Sequence, residues 1–147
     1  MIVISSNSKV DTMKYKPKQF RICEETKKLV YLLHSKLYDP DIPSHLLFQP
    51  IIDEGLREIK RRNYALHDVN FRKFLKHKQR LPERFLLTED TCEEFASVMA
   101  SLIEYHKHHI YEYQVAEYIL LRHYEKHYME SCNEEIDKFV NSNLTPI

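Results

Sequence analysis

Polar and apolar residues alternate over a short stretch near the start of the chain and then change to a helical spacing. In residues 18–23 the alternation predicts a strand with Phe20 and Ile22 on its inner side. Apolar residues then recur every three or four positions through 27–37, and again after a turn at 39–44 that contains two prolines. We therefore predict the order strand, helix, turn, helix for residues 18–63.

A second copy of this pattern begins at Phe85, which corresponds to Phe20 of the first copy. Residues 85–91 (FLLTEDT) repeat residues 20–26 (FRICEET) in their first Phe, their two acidic residues and their final Thr. The second copy predicts a strand at 84–88, a turn at 104–109 and a second helix at 110–128. We interpret this as an internal repeat. Its offset is the separation of Phe20 and Phe85. Chance similarity between two amphipathic helical hairpins is the alternative.

The repeat divides the chain into five segments. Residues 1–17 are expected to be a flexible basic arm, and 18–63 form the first unit. Residues 64–83 predict a basic connector helix with a narrow apolar stripe, 84–130 form the second unit, and 131–147 hold a short helix and a tail. The predicted fold is mainly α, with a short two-stranded antiparallel β-ribbon if the two strands pair. One difficulty is Pro50: either the second helix starts at an N-cap on Ser44 and kinks at Pro50, or it starts at Pro50.

Composition excludes several classes of function. The single glycine argues against phosphate-binding glycine loops and dinucleotide-binding folds. Three scattered cysteines give no zinc-ribbon spacing, and His123 and His127 lack the residues of a metalloprotease motif. No nucleophile, base and orienting group fall at a recognisable spacing. We therefore predict no enzyme activity, no metal and no cofactor, and a cytoplasmic protein without a membrane segment.

The net charge of zero hides a strong asymmetry. Residues 1–84 hold 18 Lys and Arg against 10 Asp and Glu, whereas residues 85–147 hold 4 against 12. A basic half suits a polyanion such as nucleic acid. The alternative is that the two halves attract and neutralise each other.

The strand, helix, turn, helix order at 18–63, and its repeat at 84–130, resemble the ribbon-helix-helix DNA-binding family. The tandem arrangement is similar to the single-chain accessory proteins of conjugative DNA transfer. In that family two antiparallel strands enter the DNA major groove and outward side chains read base edges. The resemblance implies a ribbon-helix-helix pseudo-dimer within one chain.

The resemblance also implies which residues contact DNA. Outward strand positions would contact bases: Gln19, Arg21 and Cys23 in the first strand, and Arg84, Leu86 and Thr88 in the second. The phosphate contacts would come from the start of the second helix and from the basic residues that flank the ribbon. These are Lys18, Ser44, His45, Arg72, Lys73, Lys76, Lys78 and Arg80.

The function implied is sequence-specific binding of double-stranded DNA, either as an accessory factor at a plasmid transfer origin or as a transcriptional repressor. A relaxase or another mobile-element protein is the expected partner, with self-association on DNA as a further possibility. The alternative is a helical adaptor, in which only the first unit binds DNA and the acidic, tyrosine-rich second half docks a protein. Tyrosine is favoured at such interfaces.

Overall fold

A computed structural model describes residues 15–34, 41, 43–76, 78–130 and 133–144, with the side chains of 44–46 left out. Its two halves share one order of elements. The first half has β1 (Tyr15–Cys23), α1 (Glu24–Leu32) and α2 (Ser44–Lys60), and the second has β2 (Arg80–Thr88), α3 (Glu89–His106) and α4 (Glu112–Tyr128). A last helix, α5 (Glu134–Leu144), follows the second half. The prediction of a mainly helical fold with a two-stranded antiparallel sheet is confirmed.

The two strands pair antiparallel along their whole length. Gln19 lies opposite Arg84 at the centre of the ribbon, and these two residues are separated in sequence by the same offset as Phe20 and Phe85. The strands therefore pair about positions that correspond in the sequence repeat. Both strands begin earlier than predicted, at Tyr15 and Arg80, and therefore include Pro17 and Pro82. Proline is tolerated there, since each strand of a two-stranded ribbon has a free edge that needs no N–H donor.

The inner face of the ribbon closes the hydrophobic core. Phe20 and Phe85 are both 2% exposed, and their ring centroids lie 5.7 Å apart. Phe95 of α3 lies 5.4 Å from Phe20, and Phe48 of α2 lies 5.3 Å from Phe85. Each buried phenylalanine contributes on the order of 1.5–3 kcal/mol of transfer free energy, which holds the short ribbon against the helices. The prediction that Phe20 and Ile22 face the helices is confirmed.

The second helix of each half packs across onto the strand of the other half. Helix α2 packs against β2, and α4 packs against β1. The two helices also pack against each other, where Gly55 of α2 meets Ile119 of α4. A Cβ atom on Gly55 would overlap the Ile119 side chain, so any larger residue would force the two helices or the Ile119 side chain to shift. The two halves therefore share one core.

The connector helix predicted at 64–83 is wrong. Over this segment the structure has a short 3₁₀ helix, Leu66–Asp68, and a turn at 71–76 before β2 begins. The apolar side chains of the predicted stripe still face the core. The backbone of the turn is held by the Gln114 side chain, which donates to the carbonyls of Phe71 and Phe74 at 2.7 and 2.8 Å. A side chain from α4 thus replaces the bonding partners that a helix would provide.

The remaining helix boundaries differ from the predictions in detail. Helix α2 starts at Ser44 and contains Pro50 within it, so Pro43 rather than Ser44 is the N-cap residue. Helix α1 is described over Glu24–Leu32, and its predicted end at Leu37 lies outside the described residues. Helix α3 extends to His106 and ends where Lys107 takes a φ of 63°. The basic arm predicted at 1–17 is described only from Tyr15 onwards, as part of β1.

Candidate nucleic-acid interface

The outward face of the ribbon is formed by alternate residues of the two strands. The central pair is Gln19 and Arg84, with Arg21 beside Pro82 on one flank and Leu86 beside Pro17 on the other. Gln19, Arg21, Arg84 and the two prolines are exposed, while Leu86 is half-buried. Three of the six residues predicted to contact bases therefore share one accessible surface, and Leu86 lies at its margin.

The polar side chains of this surface have few partners of their own. Within the described residues, the side chains of Gln19 and Arg84 make no hydrogen bond or ion pair. The Arg21 guanidinium makes one long hydrogen bond, 3.4 Å to the carbonyl of Arg80. These groups can therefore offer donors and acceptors to a ligand without first breaking strong internal bonds.

The prediction that Cys23 faces outward is wrong. Cys23 ends β1 directly before α1 and is fully buried. Its thiol donates a hydrogen bond to Glu117 at 3.2 Å. Burial, together with the nearby Glu117 carboxylate, raises the pKa of Cys23 to about 12, so this thiol stays protonated at neutral pH. The strand alternation stops here because the chain turns into the helix.

Thr88, the corresponding residue of the second strand, is half-buried and caps α3. Its hydroxyl accepts a hydrogen bond from the Thr91 backbone N–H at 3.2 Å and lies 3.0 Å from the Thr91 hydroxyl. An N-cap hydroxyl satisfies a donor that the helix itself cannot. Thr88 therefore stabilises the helix start, and its predicted contact with a base stays a prediction.

Each strand-to-helix junction is closed by a side chain from the other half. Gln49 of α2 accepts from the Thr88 backbone N–H at 2.9 Å and donates to the Thr91 hydroxyl at 2.7 Å. Glu117 of α4 accepts from the Cys23 backbone N–H at 3.2 Å and from the Thr26 hydroxyl at 2.7 Å. These crossed contacts fix the two ends of the ribbon to both second helices.

Neither Gln49 nor Glu117 stands out in the sequence. They occupy the same position in two helices of equal length, because each is the sixth residue counted from the helix starts Ser44 and Glu112. Their hydroxyl partners, Thr26 and Thr91, belong to the repeat that the sequence does show. The offset between the second helices is slightly longer than the offset between the strands. The signal in the sequence is a pair of polar residues separated by the offset between the two second helices rather than by the offset between the two strands.

Arg80 is a structural residue, which corrects its predicted role in phosphate contact. Its guanidinium forms an ion pair with the buried Glu117 and lies 3.4 Å above the Tyr113 ring. It also donates to the carbonyls of Leu75 and Arg21. Burial raises the pKa of Glu117, and the Arg80 charge opposes that effect.

The other predicted phosphate contacts fall into three groups. Lys18 and Lys78 form ion pairs with Glu112 and Glu25, at 2.8 and 2.9 Å. The Ser44 and His45 side chains lie outside the described residues. The turn at 71–76 carries three exposed basic side chains that make no ion pair within the described part of the chain. These positions are Arg72, Lys73 and Lys76.

The charge asymmetry of the sequence is partly neutralised inside the molecule. Basic residues of 1–84 meet acidic residues of 85–147 at several places around the core. The pairs are Lys16–Glu89, Lys18–Glu112, Lys28–Glu135, Lys60–Glu94 and Arg80–Glu117. Internal attraction between the two halves, the alternative interpretation, therefore accounts for part of the charge pattern. The exposed cations of the ribbon and of the turn at 71–76 are not neutralised in this way.

Three comparisons with known proteins found no match: no family model, no curated protein and no solved structure is similar to this chain. Among the helices that the structure describes, none has the length and apolar character needed to cross a membrane. The described side chains include no group of three or more His, Cys, Asp or Glu placed to hold a metal ion.

Proposed function

We propose that this chain is a tandem ribbon-helix-helix protein that binds double-stranded DNA by inserting its β-ribbon into the major groove. Three features support a pseudo-dimer within one chain: the repeated order of elements, a strand register that follows the repeat, and the crossed contacts of Gln49 and Glu117. Because the two halves share one core, a single chain would supply both strands of the ribbon.

The observation that carries the proposal is the outward face of the ribbon, where Gln19, Arg21 and Arg84 are exposed within the described part of the chain. The major groove of B-DNA is wide enough for a two-stranded ribbon. An arginine can donate to guanine O6 and N7, and a glutamine can pair with adenine N6 and N7. Arg21, Arg84 and Gln19 are accessible on this face and have the chemistry for such contacts. The basic turn at 71–76 is attached beside β2 and would contact the phosphate backbone.

The biological role follows from the resemblance to conjugative accessory proteins. We infer a factor that binds at a plasmid transfer origin and assists a relaxase, or a repressor that binds upstream of its own gene. Both roles need the same ribbon, so the DNA site rather than the protein surface distinguishes them.

Binding is tested by a salt-titrated gel shift of the native chain with duplexes from its own upstream region and from a nearby transfer origin. Specific binding that weakens linearly with the logarithm of salt concentration is expected. Arg84→Ala should weaken specific binding by about tenfold. Arg61→Ala is the matched control, because Arg61 is an exposed arginine at the end of α2 and should have a small effect. Absence of specific binding at every salt concentration would overturn the proposal.

A second candidate function, a helical adaptor, is favoured by a different observation. Tyr105 and Tyr111 of the second half are 55% and 43% exposed, and exposed tyrosines are typical of protein interfaces. The same gel shift separates the candidates. DNA binding that is abolished by Arg21→Ala and unchanged by Arg84→Ala would favour the adaptor, because only the first strand would then read DNA.

A further inference from the structure

We propose that the ribbon reads a non-palindromic DNA sequence in one fixed orientation, with a guanine under its Arg21 end and a thymine under its Leu86 end. This inference rests on the proposed function and goes beyond it by naming the class of site. It follows from how the register distributes side chains along the outward face.

The two halves present different groups at corresponding positions of that face. Arg21 and Leu86 are separated by the offset of the repeat and therefore occupy equivalent places in the two strands. Each lies opposite a proline, Pro82 and Pro17, and these prolines correspond as well. The backbone frame is thus the same at both ends, while one end presents a cation with several donors and the other presents an alkyl group.

The chemistry at the two ends selects different bases. A guanidinium that reaches a base edge pairs best with the two acceptors of guanine. The Leu86 side chain has no hydrogen-bonding atom, and the one apolar group on a major-groove edge is the thymine methyl. At the centre Gln19 lies opposite Arg84, so exchanging the two strands would also exchange an amide for a guanidinium. These positions therefore differ in chemistry between the two halves.

The surroundings of the ribbon reinforce one orientation. The Arg80 side chain joins the Arg21 carbonyl to the carbonyl of Leu75, so the turn at 71–76 is attached at the Arg21 end. That turn supplies three exposed cations to the same end. At the opposite end Lys16 is paired with Glu89 at 3.3 Å. The phosphate contacts are therefore expected to be stronger on the guanine side of the site.

The register also sets the spacing of the two bases. Leu86 lies opposite Pro17, which is four positions from Arg21 along β1. Four steps of a strand span about 13 Å, which corresponds to about four base-pair steps of B-DNA. The guanine and the thymine are therefore expected about four base pairs apart.

The test is selection of bound sequences from a pool of duplexes with a randomised core, using the native full-length chain. We expect a single non-palindromic consensus with both bases at that spacing. In binding assays Arg21→Ala should lower discrimination at the guanine about tenfold and leave the thymine preference unchanged. Leu86→Ala should do the reverse, lowering discrimination at the thymine several-fold.

Two further variants complete the design. Leu86→Arg makes the two ends alike and should select guanine at both ends of the site. Leu81→Ala is the control, because Leu81 is 38% exposed but belongs to the inward register, and it should leave the consensus unchanged. Thermal unfolding by circular dichroism verifies that each variant is folded. A palindromic consensus for the native chain, or equal effects of Arg21→Ala at both ends, would overturn this inference and leave the proposed function standing. No enrichment of any duplex would overturn both.

Discussion

The two strand-to-helix junctions have the same geometry and different chemistry. At Thr88 and Thr91 the group that closes the junction is the neutral amide of Gln49. At Cys23 and Thr26 it is the carboxylate of Glu117, which is fully buried. An amide provides both a donor and an acceptor without charge, whereas a carboxylate only accepts and costs free energy when it leaves water.

This difference explains why Arg80 is turned inward. The Glu117 charge requires a partner, and Arg80 supplies it from the strand of the same half. The residue that corresponds to Arg80 in the first half is Tyr15, which needs no charge because Gln49 has none. Buried ionisable groups are concentrated in α4, which carries both Glu117 and His123, while α2 has Gln49 and Gly55 at the corresponding positions.

Removing Arg80 should have the largest effect on stability, because the Glu117 junction depends on a buried charge pair and the Gln49 junction does not. Arg80→Ala leaves Glu117 buried without its counter-charge, and we expect a loss of about 3–5 kcal/mol in the free energy of unfolding. Urea denaturation followed by circular dichroism measures this loss. In the double variant Arg80→Ala with Glu117→Gln, the junction becomes neutral like its counterpart, and much of the loss should be recovered. Equal losses in the single and double variants would show that the charge is not the cause.

The pH dependence of stability should come largely from the second half. Burial, with smaller contributions from His127 and Lys126, lowers the pKa of His123 to about 4. The folded state then resists protonation that the unfolded chain accepts below its ordinary pKa of 6.5. The contribution of His123 to stability is therefore complete above the unfolded pKa and is lost as the pH falls towards 4, by about 3 kcal/mol.

Denaturation midpoints measured from neutral pH down to pH 4 for the native chain and for His123→Leu give the contribution of His123 as their difference. The raised pKa of Glu117 has the opposite sign, since protonation of a buried carboxyl favours the folded state, but it is common to both proteins. Identical pH profiles for the two proteins would contradict the assignment.

Gly55 tests the contact that holds both junctions in place. A methyl group at this position overlaps Ile119 where α2 and α4 cross, so Gly55→Ala should destabilise by about 1–3 kcal/mol despite the higher helix propensity of alanine. Ser97→Ala, at an exposed position in α3, is the control and should change stability by less than about 0.5 kcal/mol. Adding Ile119→Ala to Gly55→Ala removes the overlap and should reduce the specific effect of the methyl group in a double-mutant cycle.

The repeated order of strand and helices could be predicted from sequence because it depends on local features: an alternating strand, acidic residues at a helix start and an equal spacing to Thr26 and Thr91. The crossed contacts could not, because Gln49 and Glu117 look like ordinary polar residues of helices until the helices are placed. The prediction of a connector helix at 64–83 was wrong for a related reason. Its apolar residues at 71, 74 and 75 have a helical spacing, but the partners of their backbone carbonyls come from Gln114 and Arg80, whose side chains are not part of the segment.

The smallest expected effect concerns the helix caps themselves. Thr88 caps α3 with its hydroxyl, whereas Cys23, at the corresponding position before α1, makes no side-chain cap. Thr88→Ala should therefore cost about 1 kcal/mol of unfolding free energy, the usual value of an N-cap hydroxyl. Thr88→Ser keeps the hydroxyl and should recover most of that loss in the same denaturation assay. Equal losses for the alanine and serine variants would indicate that the methyl group of Thr88, rather than its cap, contributes to stability.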